Sequence, residues 1–169
     1  LYMSETLGVD LVTANSAVTM FELGGFIGAL VAGWGSDKLF NGNRGPMNLI
    51  FAIGIFLSVA ALWLMPGVTY LLQACCFFAI GFFIFGPQML IGMAAAECSH
   101  KDAAGAATGF VGLFAYLGAA LSGYPIARVM EIWQWNGFFV VISIAACLSA
   151  LFLLPFLRAQ TPALKPAKA

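Results

Sequence analysis

ANSAVTMFELGGFIGALVAGWGSDKLFNGNRGPMNLIFAIGIFLSVAALWLM, residues 14–65, holds two long apolar runs joined by a short connection carrying Asp37, Lys38 and Arg44. Each run meets the length of about 20 apolar residues that a helix needs to cross a bilayer core. Three more runs follow, and the expected spans are 14–34, 47–65, 70–94, 104–127 and 135–157. Lys38, Arg44 and Lys101 lie on the first and third connections, Arg158, Lys165 and Lys168 lie after the fifth run, and Arg128 alone lies on the other side. The positive-inside bias therefore assigns 35–46, 95–103 and the tail 158–169 to the cytoplasm, and 66–69 and 128–134 to the outside. Five spans starting outside also end inside, so parity and charge agree.

Composition supports the same class. The chain is 62% hydrophobic and 8% charged, with a mean hydropathy of +0.98, far from soluble globular proteins. A soluble domain would need charged amphipathic helices to cover these runs, and the sequence has none. The runs do not alternate, which excludes a β-barrel. The seven basic residues are too dispersed for a nucleic-acid patch, so no nucleic-acid partner is expected. Cys75, Cys76, Cys98 and Cys147 lack metal-ligand spacing and read as small packed residues. His100, between Ser99 and Lys101, reads as a solvated histidine. No nucleophile–base set, metal cluster or phosphate-cradling glycine loop argues for an enzyme or a cofactor. Leu1–Met3 resemble the end of a preceding span, with 1–13 completing it and an outside loop.

Glycine divides the runs. The first, third and fourth are rich in it, whereas the second and fifth carry one each, Gly54 and Gly137. Small residues let helices approach in lipid, so the first, third and fourth spans are expected at the centre and the other two against lipid. Gly105, Gly109, Gly112, Tyr116 and Ala119 share one helix face by spacing, as do Asn15, Glu22, Gly25, Ala29 and Ala32. Glu22 is the one ionisable residue deep within a span. A carboxylate at that depth costs about 2.5–3.5 kcal/mol on insertion scales, so it faces either a polar cavity or a partner helix that keeps it protonated. Gly86–Pro87–Gln88 should bend the third span, leaving Gln88 as a cavity amide or as part of a structural kink. Trp63, Tyr70, Trp133 and Trp135 mark the outer boundary and Trp34 the inner one.

The connection GWGSDKLFNGNRG, from Gly33 to Gly45, resembles the signature loop of the major facilitator superfamily. FGPQMLIG and AAGAATGFVGLFAYLG, beginning at Phe85 and Ala103, resemble the tenth and eleventh helices of its organophosphate:phosphate antiporter family. The resemblance implies an all-α membrane bundle corresponding to the carboxyl-terminal half, the end of helix 7 plus helices 8–12, in a bacterial inner membrane. It implies that Gly33, Asp37, Lys38 and Arg44 belong to a loop that stabilises one alternating conformation through charge contacts. It implies that Glu22 and Tyr116 line the central cavity, and that Phe85 stands where glycerol-phosphate transporters have tyrosine. The family's two phosphate-gripping arginines lie in helices outside this chain, and Arg44 is not one of them. A hexose phosphate is the implied ligand, with a partner membrane histidine kinase for sensing members. Exchange against inorganic phosphate is implied for antiporters.

Overall fold

The computed structural model describes residues 2–65 and 67–157, and no strand occurs among them. Leu1, Pro66 and the tail with Arg158, Lys165 and Lys168 lie outside the described residues. Five helices follow one another: α1 (Tyr2–Leu7), α2 (Leu11–Leu39), α3 (Arg44–Leu64), α4 (Tyr70–Glu97) and α5 (Ala104–Leu153). The last four are long and apolar enough to cross a membrane. α2, with 29 residues, is about 43 Å long at 1.5 Å per residue, well beyond a hydrocarbon core of about 30 Å.

The boundaries depart from the sequence expectation at both ends of the bundle. α1 continues to Leu7, and Gly8 ends it with φ of 65°, the left-handed conformation that glycine adopts at helix ends. Asp10 caps α2 by accepting a hydrogen bond from the Thr13 amide at 3.4 Å. Hydrogen bonding from the Thr13 side chain, and less from its amide, holds the Asp10 carboxyl below the usual carboxylate range. At the other end α2 runs on past Trp34, so Gly33, Asp37 and Lys38 stand on its last turns and not in a loop. Arg44, also expected in the loop, is the first residue of α3.

α2 and α4 run parallel and in backbone contact. A Cβ on Gly24 or Gly28 would strike the Phe78 or Phe82 carbonyl, and one on Gly81 would strike that of Phe21. This is the small-residue packing expected of the first and third spans. α3 lies antiparallel against α4 and takes α5 on its other side. It was expected to face lipid; ten of its residues are buried, while Ile50, Ile53, Phe56, Leu57 and Leu64 are exposed. The reason for the burial is that large side chains fill notches left by single glycines: Phe51 seats on Gly86, and Phe83 on Gly54. Phe51 also stacks on Phe82 at 5.4 Å. Such knob-in-notch packing needs few glycines.

Gly105, Gly109, Gly112, Gly118 and Gly123 meet nothing within 4 Å; their stripe is an open face of the described bundle. Residues 128–134, expected as a connection, are helical up to a single break at Gln134, with φ 52° and ψ −146°. This conformation favours glycine, and a non-glycine residue held there costs about 1–3 kcal/mol. The two limbs close tightly on each other: a Cβ on Gly137 would lie 2.6 Å from Val129 Cγ1 and 2.7 Å from Trp133 Cβ. α4, by contrast, stays helical through Pro87.

Candidate functional site

The end of the bundle that gathers the α2–α3 turn and the end of α4 is built around one guanidinium. Between α2 and α3 the chain reverses over Phe40–Asn43, with Asn41 at φ 51° and Gly42 at φ 81°. The turn is held by the Gly42 amide donating to the Ser36 carbonyl at 3.0 Å and the Asn43 amide donating to that of Phe40 at 2.9 Å. Asn43 Oδ1 then accepts from the Gly45 amide at 3.2 Å and caps α3. This places Arg44 at a helix N-terminus, where a cation is disfavoured by the helix dipole. Two carboxylates at the ends of other helices offset that. Arg44 Nη1 meets Asp37 Oδ1 of α2 at 2.7 Å. Nη2 and Nε donate to Glu97 Oε1 and Oε2 of α4 at 2.7 and 3.3 Å. Asp37 and Glu97 both sit at helix C-termini, where a negative charge is equally disfavoured. One guanidinium thus relieves three helix ends and ties α2, α3 and α4 together.

Burial ranks the contacts. The side chains of Arg44, Glu97 and Asp37 are 8%, 25% and 59% exposed. The forked Arg44–Glu97 pair is therefore the strong one, and the Asp37 contact is screened by water. Lys38, from the same motif, is exposed and makes no ion pair among the described residues. Asn48, one turn deeper on α3, is buried with its Oδ1 unpartnered among them. Glu97 was not singled out in the sequence; its signal was a lone acid closing an apolar run on the basic side.

The four expected cavity residues are not gathered into one pocket. Glu22 and Gln88 are exposed on α2 and α4, and Tyr116, on the open face of α5, is 77% exposed. Phe85 is half-buried, edge-on to Phe21 at 5.7 Å, and fills the space a Cβ on Gly25 would need. A half-open apolar cavity lies elsewhere. It measures about 370 Å³ and is lined by apolar side chains including Tyr2, Val18, Phe21, Ile80, Phe139 and Ile142. Cys76 is partly buried, and Cys75, Cys98 and Cys147 are exposed on the described bundle. His100 is solvated, 3.6 Å from Asp102. Among the described residues no cluster could hold a metal ion.

The opposite end collects the aromatic belt. Trp63 Nε1 donates to Asn136 Oδ1 at 3.1 Å, Trp135 Nε1 donates to Glu5 Oε2 at 2.6 Å, and Tyr70 bonds Ser16. Arg128 pairs with Glu131 at 2.6 Å near this end.

Comparison with known proteins adds a lineage to this geometry. The chain is 83% identical over 162 residues to "Membrane sensor protein UhpC" of Escherichia coli (strain K12), a match covering 96% of the chain and 37% of that protein. It is 48% identical over 166 residues to a "Probable hexose phosphate transport protein" of Chlamydia muridarum, covering 98% of the chain and 36% of the relative. It is 37% identical to the "Hexose-6-phosphate:phosphate antiporter" of Escherichia coli (strain K12), covering 89% and 34%. The chain thus spans little more than a third of the length of these relatives. The Major Facilitator Superfamily model matches residues 1–169. With its spanning helices, this multi-pass membrane protein belongs to the major facilitator superfamily.

Proposed function

We propose that the full-length protein senses an external hexose phosphate, glucose 6-phosphate, on a transporter-type bundle. It then activates a partner membrane histidine kinase, UhpB-like, that induces the hexose-phosphate transporter. The observation that carries this reading is the gradient of identity over the same region: 83% to the sensor against 37% to the antiporter. Ligand held between this bundle and the rest of the protein biases the equilibrium between two conformations by its differential affinity for them. The kinase reads the altered surface. Glu22, Gln88, Tyr116 and Phe85 are the ligand-facing candidates. Phe85, packed on Phe21 and Gly25, offers no hydroxyl at that position. The Asp37–Arg44–Glu97 cluster, with Gly33 and Lys38 beside it, favours the conformation in which the inner helix ends are closed together. The carboxyl terminus is cytoplasmic.

A second reading, exchange of sugar phosphate for inorganic phosphate, is favoured by the transporter relatives. The two separate on deletion of the gene. A sensor is required for glucose 6-phosphate to induce a transporter promoter, while its own uptake is negligible. Induction that survives deletion while uptake is lost rejects the sensing reading in favour of exchange.

A further inference from the structure

The outer end of the bundle places its strained residue beside its two longest-range hydrogen bonds. Gln134 adopts φ 52°, ψ −146°, and the next two residues are each held from another helix. Trp135 Nε1 donates to Glu5 Oε2 on α1 at 2.6 Å, and Asn136 Oδ1 accepts from Trp63 Nε1 on α3 at 3.1 Å. Tyr2 of α1 lies edge-on to Trp135 at 5.0 Å and to Phe139 at 5.3 Å. A glutamine persists in a glycine-type conformation only where its surroundings over-determine it. Here the surroundings include Glu5 and Tyr2 of α1 and Trp63 of α3.

We propose that Glu5 and Trp135 form a latch that ties α1 to the α5 corner and holds Gln134 in its strained conformation, so that displacement of α1 releases the corner. This rests on the sensing reading only for what drives it, since ligand binding is then what moves α1. Without a driver the latch is still a mechanical property of the fold.

The test uses the full-length protein in membranes, freed of native cysteines, with Ile132→Cys as a reporter two residues from the break. Ile132 is exposed, and the readout is its rate of labelling by a membrane-impermeant maleimide. Trp135→Phe keeps a ring against Tyr2 but removes the N–H; Glu5→Met removes the acceptor from the other side. Each is expected to raise the labelling rate about five-fold or more, the lower range of site-to-site coupling. Gln134→Gly holds the same backbone without strain, so it should suppress the effect of Trp135→Phe in the double variant. Unchanged labelling in Trp135→Phe and Glu5→Met overturns the latch, and so does a double variant that labels as fast as Trp135→Phe alone. The half-maximal glucose 6-phosphate concentration for promoter induction is measured in parallel. Raised labelling with unaltered induction upholds the latch and counts against ligand as its driver.

Discussion

Arg44 carries more of its end of the bundle than its position in a basic connection suggests. Its side chain is 8% exposed, whereas the carboxylates it holds are 25% and 59% exposed, so Arg44→Ala leaves no buried charge behind. It loses the forked contact to Glu97 together with the one to Asp37, and is expected to destabilise the full-length protein in detergent by about 3 kcal/mol. Glu97→Gln, which weakens the forked contact, should cost about 1.5–3 kcal/mol, as for hydrogen bonds to charged groups. Asp37→Asn, at a well-solvated carboxylate, should cost less than about 1 kcal/mol. Thermal unfolding of the three variants checks the order, and equal losses at Asp37 and Glu97 would refute it. Asp37 and Arg44 were legible in the sequence because both stand in the connection that resembles the superfamily's signature loop. Glu97 was not, because it lies 53 positions beyond Arg44 and only the packing of α4 on α3 brings it there.

At the scale of elements, two kinds of glycine make opposite predictions. Gly28 lies where α2 crosses α4 in backbone contact, so Gly28→Ala forces the helices apart. Overpacking of this kind costs about 1–3 kcal/mol. Gly105, at the start of α5, faces open space, so Gly105→Ala should leave stability unchanged or slightly improved through helix propensity. Melting of both variants in detergent is the check, and a Gly28→Ala protein as stable as Gly105→Ala would dismiss the α2–α4 seam. In the sequence these glycines look alike. Spacing reveals that a face is small, but whether a neighbouring helix fills that face depends on the third dimension. The same blindness hid the role of α3, whose Phe51 finds its notch on α4. The break at Gln134 falls within the connection expected over 128–134; what no glycine signalled is its left-handed conformation, for which Gly137, three residues on, supplies the room.

For the whole molecule, the alternation of α2, α3, α4 and the two limbs of α5 puts Lys38, Arg44 and Lys101 at one end. Trp63, Tyr70, Trp135 and Arg128 stand at the other. That segregation was legible from charge and length alone, because the cost of moving cations across lipid acts on the unfolded chain as it inserts. What could not be read was the surface on which a ligand acts. Glu22, Gln88 and Tyr116 are brought to open faces of this bundle and not into a shared pocket, so any site they form needs a wall from elsewhere in the protein. Cysteine mapping of the full-length protein addresses both points. Cysteines at Asn43 and Lys101 should react with an impermeant maleimide only when the inner face is opened, and one at Glu131 should react in intact cells; the reverse pattern would invert the bundle. With orientation fixed, a cysteine at Tyr116 should react with small polar reagents and be protected by glucose 6-phosphate. Glu22→Gln and Tyr116→Phe should shift the half-maximal response about ten-fold, as the loss of one hydrogen bond of about 1.4 kcal/mol in one of two states requires, at unaltered membrane levels. Reagents that fail to reach position 116 from either side, together with an unaltered response in both variants, would remove these residues from the ligand's path.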